Sequence, residues 1–193
     1  ILTIGTREAG MGIDRFVLST DNTLAGPALD ALGNSDTDIV VQGSAESFVA
    51  FEAETKARII AGTPTSWTNT TDSAASGGAM LLAAGANDTA IAPHSFAQYQ
   101  IKFAAAGTYY LYYRWKADAA RTVTDQFTAN SSFIPLTLGS FTTIGVDGRA
   151  PFSVAAANGS TAPANNSFGW QREPDTIAYT VSQAEVTAGI PLI

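Results

Sequence analysis

The clearest pattern in the chain is a series of short runs in which apolar and polar side chains alternate. Phe96-Ala97-Gln98-Tyr99-Gln100-Ile101-Lys102-Phe103 places Tyr99, Ile101 and Phe103 on the inward face of one strand. Ala106-Gly107 then turns into Thr108-Tyr109-Tyr110-Leu111-Tyr112-Tyr113-Arg114-Trp115-Lys116, the most aromatic run and the strongest strand signal. Shorter β-branched and aromatic runs predict strands at residues 39–41, 48–54, 57–61, 79–84, 134–136, 168–173 and 177–181, with a hairpin over 141–152. Residues 63–78 read as a polar loop containing Trp67, and 153–166 as an irregular stretch of low complexity. Ala28 to Leu32 allows one helical turn, too short to stand alone, and no long amphipathic helix is present. The pattern predicts an all-β sandwich.

The two ends of the chain break this regularity in complementary ways. Ile1-Leu2-Thr3-Ile4 is a strand fragment with no turn or cap before it, and Ile13 to Leu18 is a second strand after a glycine-punctuated turn. At the other end a strand begins at Val186 and stops at Ile193. Written tail to head, Ile193, Leu2 and Ile4 fall on one face of a period-two strand. The expectation is a repeat cut in mid-strand. Residues 1–19 would be the last two strands of a neighbouring unit, 20–38 a linker, and 39–193 a sandwich lacking its final strands. Its assembly junction would comprise Ile1, Leu2, Ile4, Ile13, Phe16, Leu18, Leu192 and Ile193. The linker carries Leu24, Leu29 and Leu32, which suit docking, and some sixteen extended residues would span roughly 50 Å.

Composition narrows the function. Apolar residues make up 46% of the chain and charged ones only 14%, which suits a buried core beneath a Thr/Ser/Asn-rich surface. The net charge of −7 with scattered basic residues argues against nucleic acid and anionic membranes as partners. Absence of cysteine excludes disulfides and thiolate metal sites. No apolar run is long enough for a transmembrane helix. The composition leans towards an extracellular or cell-surface protein.

The order of several motifs carries a resemblance. They are Phe51-Glu52-Ala53-Glu54, Ser76-Gly77-Gly78, the Gly107 to Trp115 run, the Asp125 to Phe133 loop, Phe168-Gly169-Trp170 and a closing Gly12 to Leu18. With residues 1–19 moved to the end, the chain resembles the calcium-binding β-jelly-roll carbohydrate-binding modules of families six and thirty-five. It departs from them in the permuted order and in a long insertion over residues 141–166. The resemblance implies a structural calcium held by Glu52, Glu54 and Asp14, with Asp14 supplied by a different copy if the repeat is cut. Oxygen donors of this kind suit calcium. The ordinary alternative is that these are rim charges, with Asp14 or Glu54 paired to Arg15 or Arg7. The resemblance also implies a polar sugar-binding side chain at Asn130.

Trp67 and Trp170 flank polar segments and are candidate sugar platforms, whereas Trp115, inside the best strand, reads as core. Catalysis finds no support. His94, the single histidine, has no nucleophile partner, and Glu52 and Glu54, which share one strand face by the period of two, lie too close together to straddle a glycosidic bond. Sequons begin at Asn69, Asn87, Asn130, Asn158 and Asn165. The chain therefore reads as a non-enzymatic jelly-roll unit of an extracellular filament or long surface protein. Other copies of itself complete it head to tail, as separate strand-donating subunits or as repeats of one polypeptide. The competing reading is a carbohydrate-binding module of a secreted multidomain enzyme or adhesin.

Overall fold

Each of the two best-patterned runs becomes the interior of a sheet. The computed structural model describes residues 1–6, 9–35, 37, 39–86, 95–117, 132–135, 138, 167–172 and 178–188. Among these, the alternating run is β8 (Phe96–Lys102) of a five-stranded sheet. One edge of β8 pairs with β1 (Leu2–Thr6), which pairs in turn with β10 (Ser132–Phe133). The other edge takes β3 (Ile39–Val41) in parallel and β5 (Arg58–Ile60) antiparallel. The aromatic run is β9 (Gly107–Ala117) of a seven-stranded sheet. It lies between β2 (Met11–Ser19) and the pair β11 (Gly169–Arg172) and β12 (Ala178–Val181). The far edge of β2 takes β7 (Ala79–Gly85) near its start and β4 (Phe48–Glu52) along the rest, and β6 (Thr65–Thr71) pairs with β7. The result is a two-sheet, all-β sandwich compatible with a jelly roll.

Side chains from both sheets form one core. Phe16 of β2, Phe51 of β4 and Tyr99 of β8 meet with ring centroids 5.1 to 5.6 Å apart, within the favoured range for aromatic pairs. Tyr99 of β8 and Tyr109 of β9 are buried with their hydroxyls satisfied. Tyr99 donates to Ala53 O at 2.6 Å, and Tyr109 donates to Ala105 O at 2.8 Å. Trp115 is core, as expected.

The N-terminal residues occupy the interior of both sheets. Every residue of β1 and β2 is buried. Both strands pair here with elements of 39–193 in the same chain, and an exchanged copy of the segment would make the same contacts. Residues 24–35 are docked through Leu24, Leu29 and Leu32, as these leucines suggested, and include a short helix, α1 (Gly26–Asp30), that buries Leu29.

Three expectations are corrected. First, the strand from Phe48 ends at Glu52, and Ala53–Thr55 forms a 3-10 turn with Thr55 Oγ1 donating to Glu52 O at 2.7 Å. The chain crosses between sheets there, so Glu52 and Glu54 do not share a strand face. Second, residues 63–78 contain β6. Only Thr65 and Trp67 are buried along it, which leaves a polar strand with the look of a loop. At its start Gly85 has φ +126°, and a Cβ there would lie 2.0 Å from Pro64 O. Third, Gln183–Ala188 is a helix, α2, where a strand was expected to begin at Val186. Ser182 accepts from the Glu185 N–H at 3.3 Å and donates its own N–H to the Glu185 carboxylate at 2.7 Å, a capping box. Leu192, Ile193, His94, Asn130 and the 141–166 insertion lie outside the described residues.

Leu2→Asp is expected to lower stability by at least about 3 kcal/mol, since it would place a charge in the fully buried position between β8 and β10. Urea unfolding measures this, with Leu2→Val as a control costing about 1 kcal/mol. A Leu2→Asp chain as stable as the parent would place β1 outside the core.

Candidate functional site

The apolar phase of β2 changes in its middle, and the polar seam of the molecule forms there. Met11 and Ile13 face the core before the change, Phe16 and Leu18 after it. The spacing from Ile13 to Phe16 is odd, so a residue must be absorbed. The pairing with β9 slips between Ile13 and Arg15, leaving Asp14 as the extra residue of a bulge. Asp14 is fully buried: its Oδ1 accepts the Ser76 backbone N–H at 2.8 Å, and its Oδ2 pairs with the Arg114 guanidinium. Arg15, also buried, turns towards the docked segment. It donates to Leu32 O at 2.7 Å, to Leu29 O at 3.5 Å and to Asn34 Oδ1.

Glu52 ties these contacts together. Its Oε1 lies 3.9 Å from Arg15 Nε and accepts from Ser76 Oγ at 2.7 Å and from Asn34 Nδ2. One hub therefore joins β2, β4, β9, the Ser76–Gly78 turn and the segment after β2. Burial pushes the Asp14 carboxyl up from its ordinary value, and Arg114 pulls it back. A second ion pair, Lys116 with Asp72, holds the Asp72 carboxyl below the ordinary range. The Phe168 ring covers both cations of β9, 4.9 Å from Arg114 Cζ and 4.8 Å from Lys116 Nζ.

Above the seam, Leu29 packs with Val17, Ala50 and Tyr112 in a second apolar cluster on the outer face of the larger sheet. The Tyr112 hydroxyl donates to Asp21 O at 2.9 Å and accepts the Leu24 N–H at 3.3 Å. Between β2 and this anchorage, residues 20–23 are exposed and bend through Asp21, whose Oδ1 accepts the Thr23 N–H at 2.8 Å.

The predicted site residues separate into groups. Leu2, Ile4, Ile13, Phe16 and Leu18 are all core, and Ile1 is partly buried. Of the proposed calcium ligands, Glu52 and Glu54 flank one turn. A Cβ on Gly77 would lie 3.5 Å from Glu54 Oε1 and 3.9 Å from Glu52 Cδ, so glycine leaves a cradle between the two side chains. Asp14 does not fit beside them, because Ser76 and Arg114 take both its oxygens. No group of three acidic or histidine side chains with metal-holding spacing occurs among the described residues. Glu54 faces a cation of its own: Lys56 donates to Glu54 O at 2.9 Å and to the exposed Asn69, and burial lowers the Lys56 amine while Glu54 opposes the shift.

The two indoles proposed as sugar platforms differ. Trp67 is core, with its N–H donating to Ile4 O at 3.0 Å, and offers no open face. Trp170 is half-buried, donates to Asp30 Oδ1 at 2.7 Å, and has Arg15 Cζ 5.7 Å from its ring centre.

Sequence reasoning missed Arg114, Asn34 and Ser76 as partners in the hub. The odd apolar spacing across Asp14-Arg15 was the signal that a bulge would place charges there. No protein-family model, curated protein or solved structure matches the chain.

Asp72→Asn tests the electrostatics. The Asp72 carboxyl is depressed in the folded state, so its stabilisation is present above the ordinary carboxylate pKa and is lost as pH falls through the depressed value. At pH 7 the variant should melt about 2–6 °C below the parent, with the difference closing as pH falls through the depressed Asp72 value. A difference constant across that range would dissociate the ion pair from stability.

Proposed function

We propose that this chain is the structural unit of an extracellular filament or long surface protein, in which residues 1–19 of one copy complete the sandwich of the next. The observation that carries this reading is that one short N-terminal segment supplies an interior strand to each of the two sheets. A copy deprived of it would hold two apolar gaps flanked by unpaired backbone groups, a strong acceptor for a strand of matching pattern. Donation from copy to copy is a head-to-tail contact, and such contacts propagate as open chains unless the rotation closes.

The docked segment changes the geometry of the exchange. Residues 24–35 are anchored on the outer face of the larger sheet by Leu29 against Ala50 and Tyr112, by the Leu24 N–H to Tyr112 and by Asn34 to Glu52, so they stay with the acceptor. The exposed residues 20–23 then form the hinge, and four residues reach at most about 14 Å. Neighbouring units would therefore be packed closely rather than strung on a long tether. A carbohydrate-binding module needs an open indole face, and among the described residues that reading rests on Trp170 alone.

The exchange is read directly from disulfides, since the chain has no cysteine of its own. Val17 and Ala50 sit opposite each other on β2 and β4, within the span a disulfide bridges. Val17→Cys/Ala50→Cys, refolded at high protein concentration and oxidised, should give a ladder of covalent multimers on a non-reducing gel. Monomers cross-linked only within themselves would overturn the reading.

In this unit Glu52 and Glu54 would be the carboxylate donors of a calcium site beside Gly77. Bound there, the ion would neutralise the two acids and tie the 3-10 turn after β4 to the Ser76–Gly78 turn. Chelation should then lower the melting temperature by about 5–10 °C, and Glu54→Gln should abolish the chelator's effect. Superimposable melting curves with and without chelator would remove calcium from the account.

A further inference from the structure

We infer that Asp14-Arg15 is the register key of the inserted strand, the feature by which a groove accepts β2 in one alignment and refuses others. The inference rests on the strand-insertion reading and identifies what makes the partner's fit selective. A strand held by its own loops is aligned by them, whereas one arriving on a hinge must carry its alignment in its side chains.

The apolar pattern of β2 does only half of this. A slip of one residue would turn Phe16 and Leu18 out of the core and is refused by packing. A slip of two residues keeps Phe16 inward, in the place of Leu18, but the phase change at the bulge carries Asp14 into the inward place of Phe16, opposite Phe51. The charges discriminate strongly. In the observed alignment Arg15 stands opposite Glu52 on β4, while Asp14 reaches Arg114 and the Ser76 N–H. A two-residue slip carries Arg15 from Glu52 to Ala50 and removes Asp14 from both its partners. Two buried charges would then lack their partners, a condition that disfavours an alignment by a factor of roughly a hundred or more. Replacing all four charges, Asp14 and Arg15 on the strand with Arg114 and Glu52 in the groove, by neutral polar groups removes the charge penalty from every alignment, so the key contributes selectivity rather than stability.

Two cysteine pairs read the alignment. Val17→Cys/Ala50→Cys reports the observed register, and Val17→Cys/Phe48→Cys reports the two-residue slip. Each is refolded in a glutathione buffer, and the fraction cross-linked is measured by peptide mapping. In the otherwise native chain the first pair should form and the second should stay at or below about one part in a hundred. With Asp14→Asn/Arg15→Gln/Glu52→Gln/Arg114→Gln added, so that both partners of each pair are neutral, the slipped product should rise at least tenfold while the melting temperature stays within a few degrees. Arg114→Gln, which alters the groove and leaves the strand intact, should raise it in the same direction.

A slipped product that stays absent in both neutralised backgrounds would assign register to packing alone. A neutralised chain that no longer folds would assign the charges to stability. Either result overturns the inference. Within-chain and between-chain cross-links both report register, so the outcome is independent of whether the gel shows monomers or a ladder.

Discussion

Strand β2 runs through the middle of the larger sheet, and the remaining architecture depends on what that position demands of it. Its neighbours on both edges satisfy its backbone, and its inward side chains meet β4 and β8 in the core. Yet its centre carries an aspartate and an arginine, both buried. Such charges are tolerated only with partners, and those partners come from four separate places: β4, β9, the Ser76–Gly78 turn and the segment after β2. Removing one contributor leaves charge uncompensated in the interior. The hub therefore couples the closing of the sheet to the docking of residues 24–35, and makes β2 a strand that fits its groove in one way.

The same coupling shapes the functional proposal. The segment that fills both sheets is continuous, and it is joined to the docked segment through four exposed residues. Those are the requirements for exchanging a strand pair between copies without changing any contact except at the hinge. The docked helix and Leu29 cluster shorten the connection that sequence reading placed over residues 20–38. Under the strand-exchange proposal, close packing of successive units follows from that shortening.

Much of the fold was legible because its strongest strands obey simple periodicity. The inward face of β8, the aromatic β9 and the burial of Trp115 all follow from alternation and side-chain size. Failures came where a local rule competed with the apolar pattern. Thr65 to Thr71 is a strand with two buried side chains, so its polarity imitated a loop. The run after Ser182 was read for its apolar tail, although Ser182 and Glu185 stand at capping-box spacing and open a helix. Glu52 and Glu54 were assigned a common strand face, but the chain leaves the sheet between them.

The site was legible in part. Asp14 and the two glutamates were singled out together; Ser76 bonds Asp14 and Glu52, and Gly77 lies against Glu52 and Glu54, while Asp14 pairs with Arg114 instead of joining the glutamates. The pairing of Asp14 with Arg114 was not visible, because it depends on the bulge that realigns β2 with β9 and on a partner 100 residues away. The most direct measurement of the central claim is the path of the chain between Ser19 and Leu24 in assembled material, traced by high-resolution electron microscopy. Strand exchange predicts that density leaving β2 at Ser19 crosses into the docked segment of the adjacent unit. Density that returns to the same unit in every copy would contradict it.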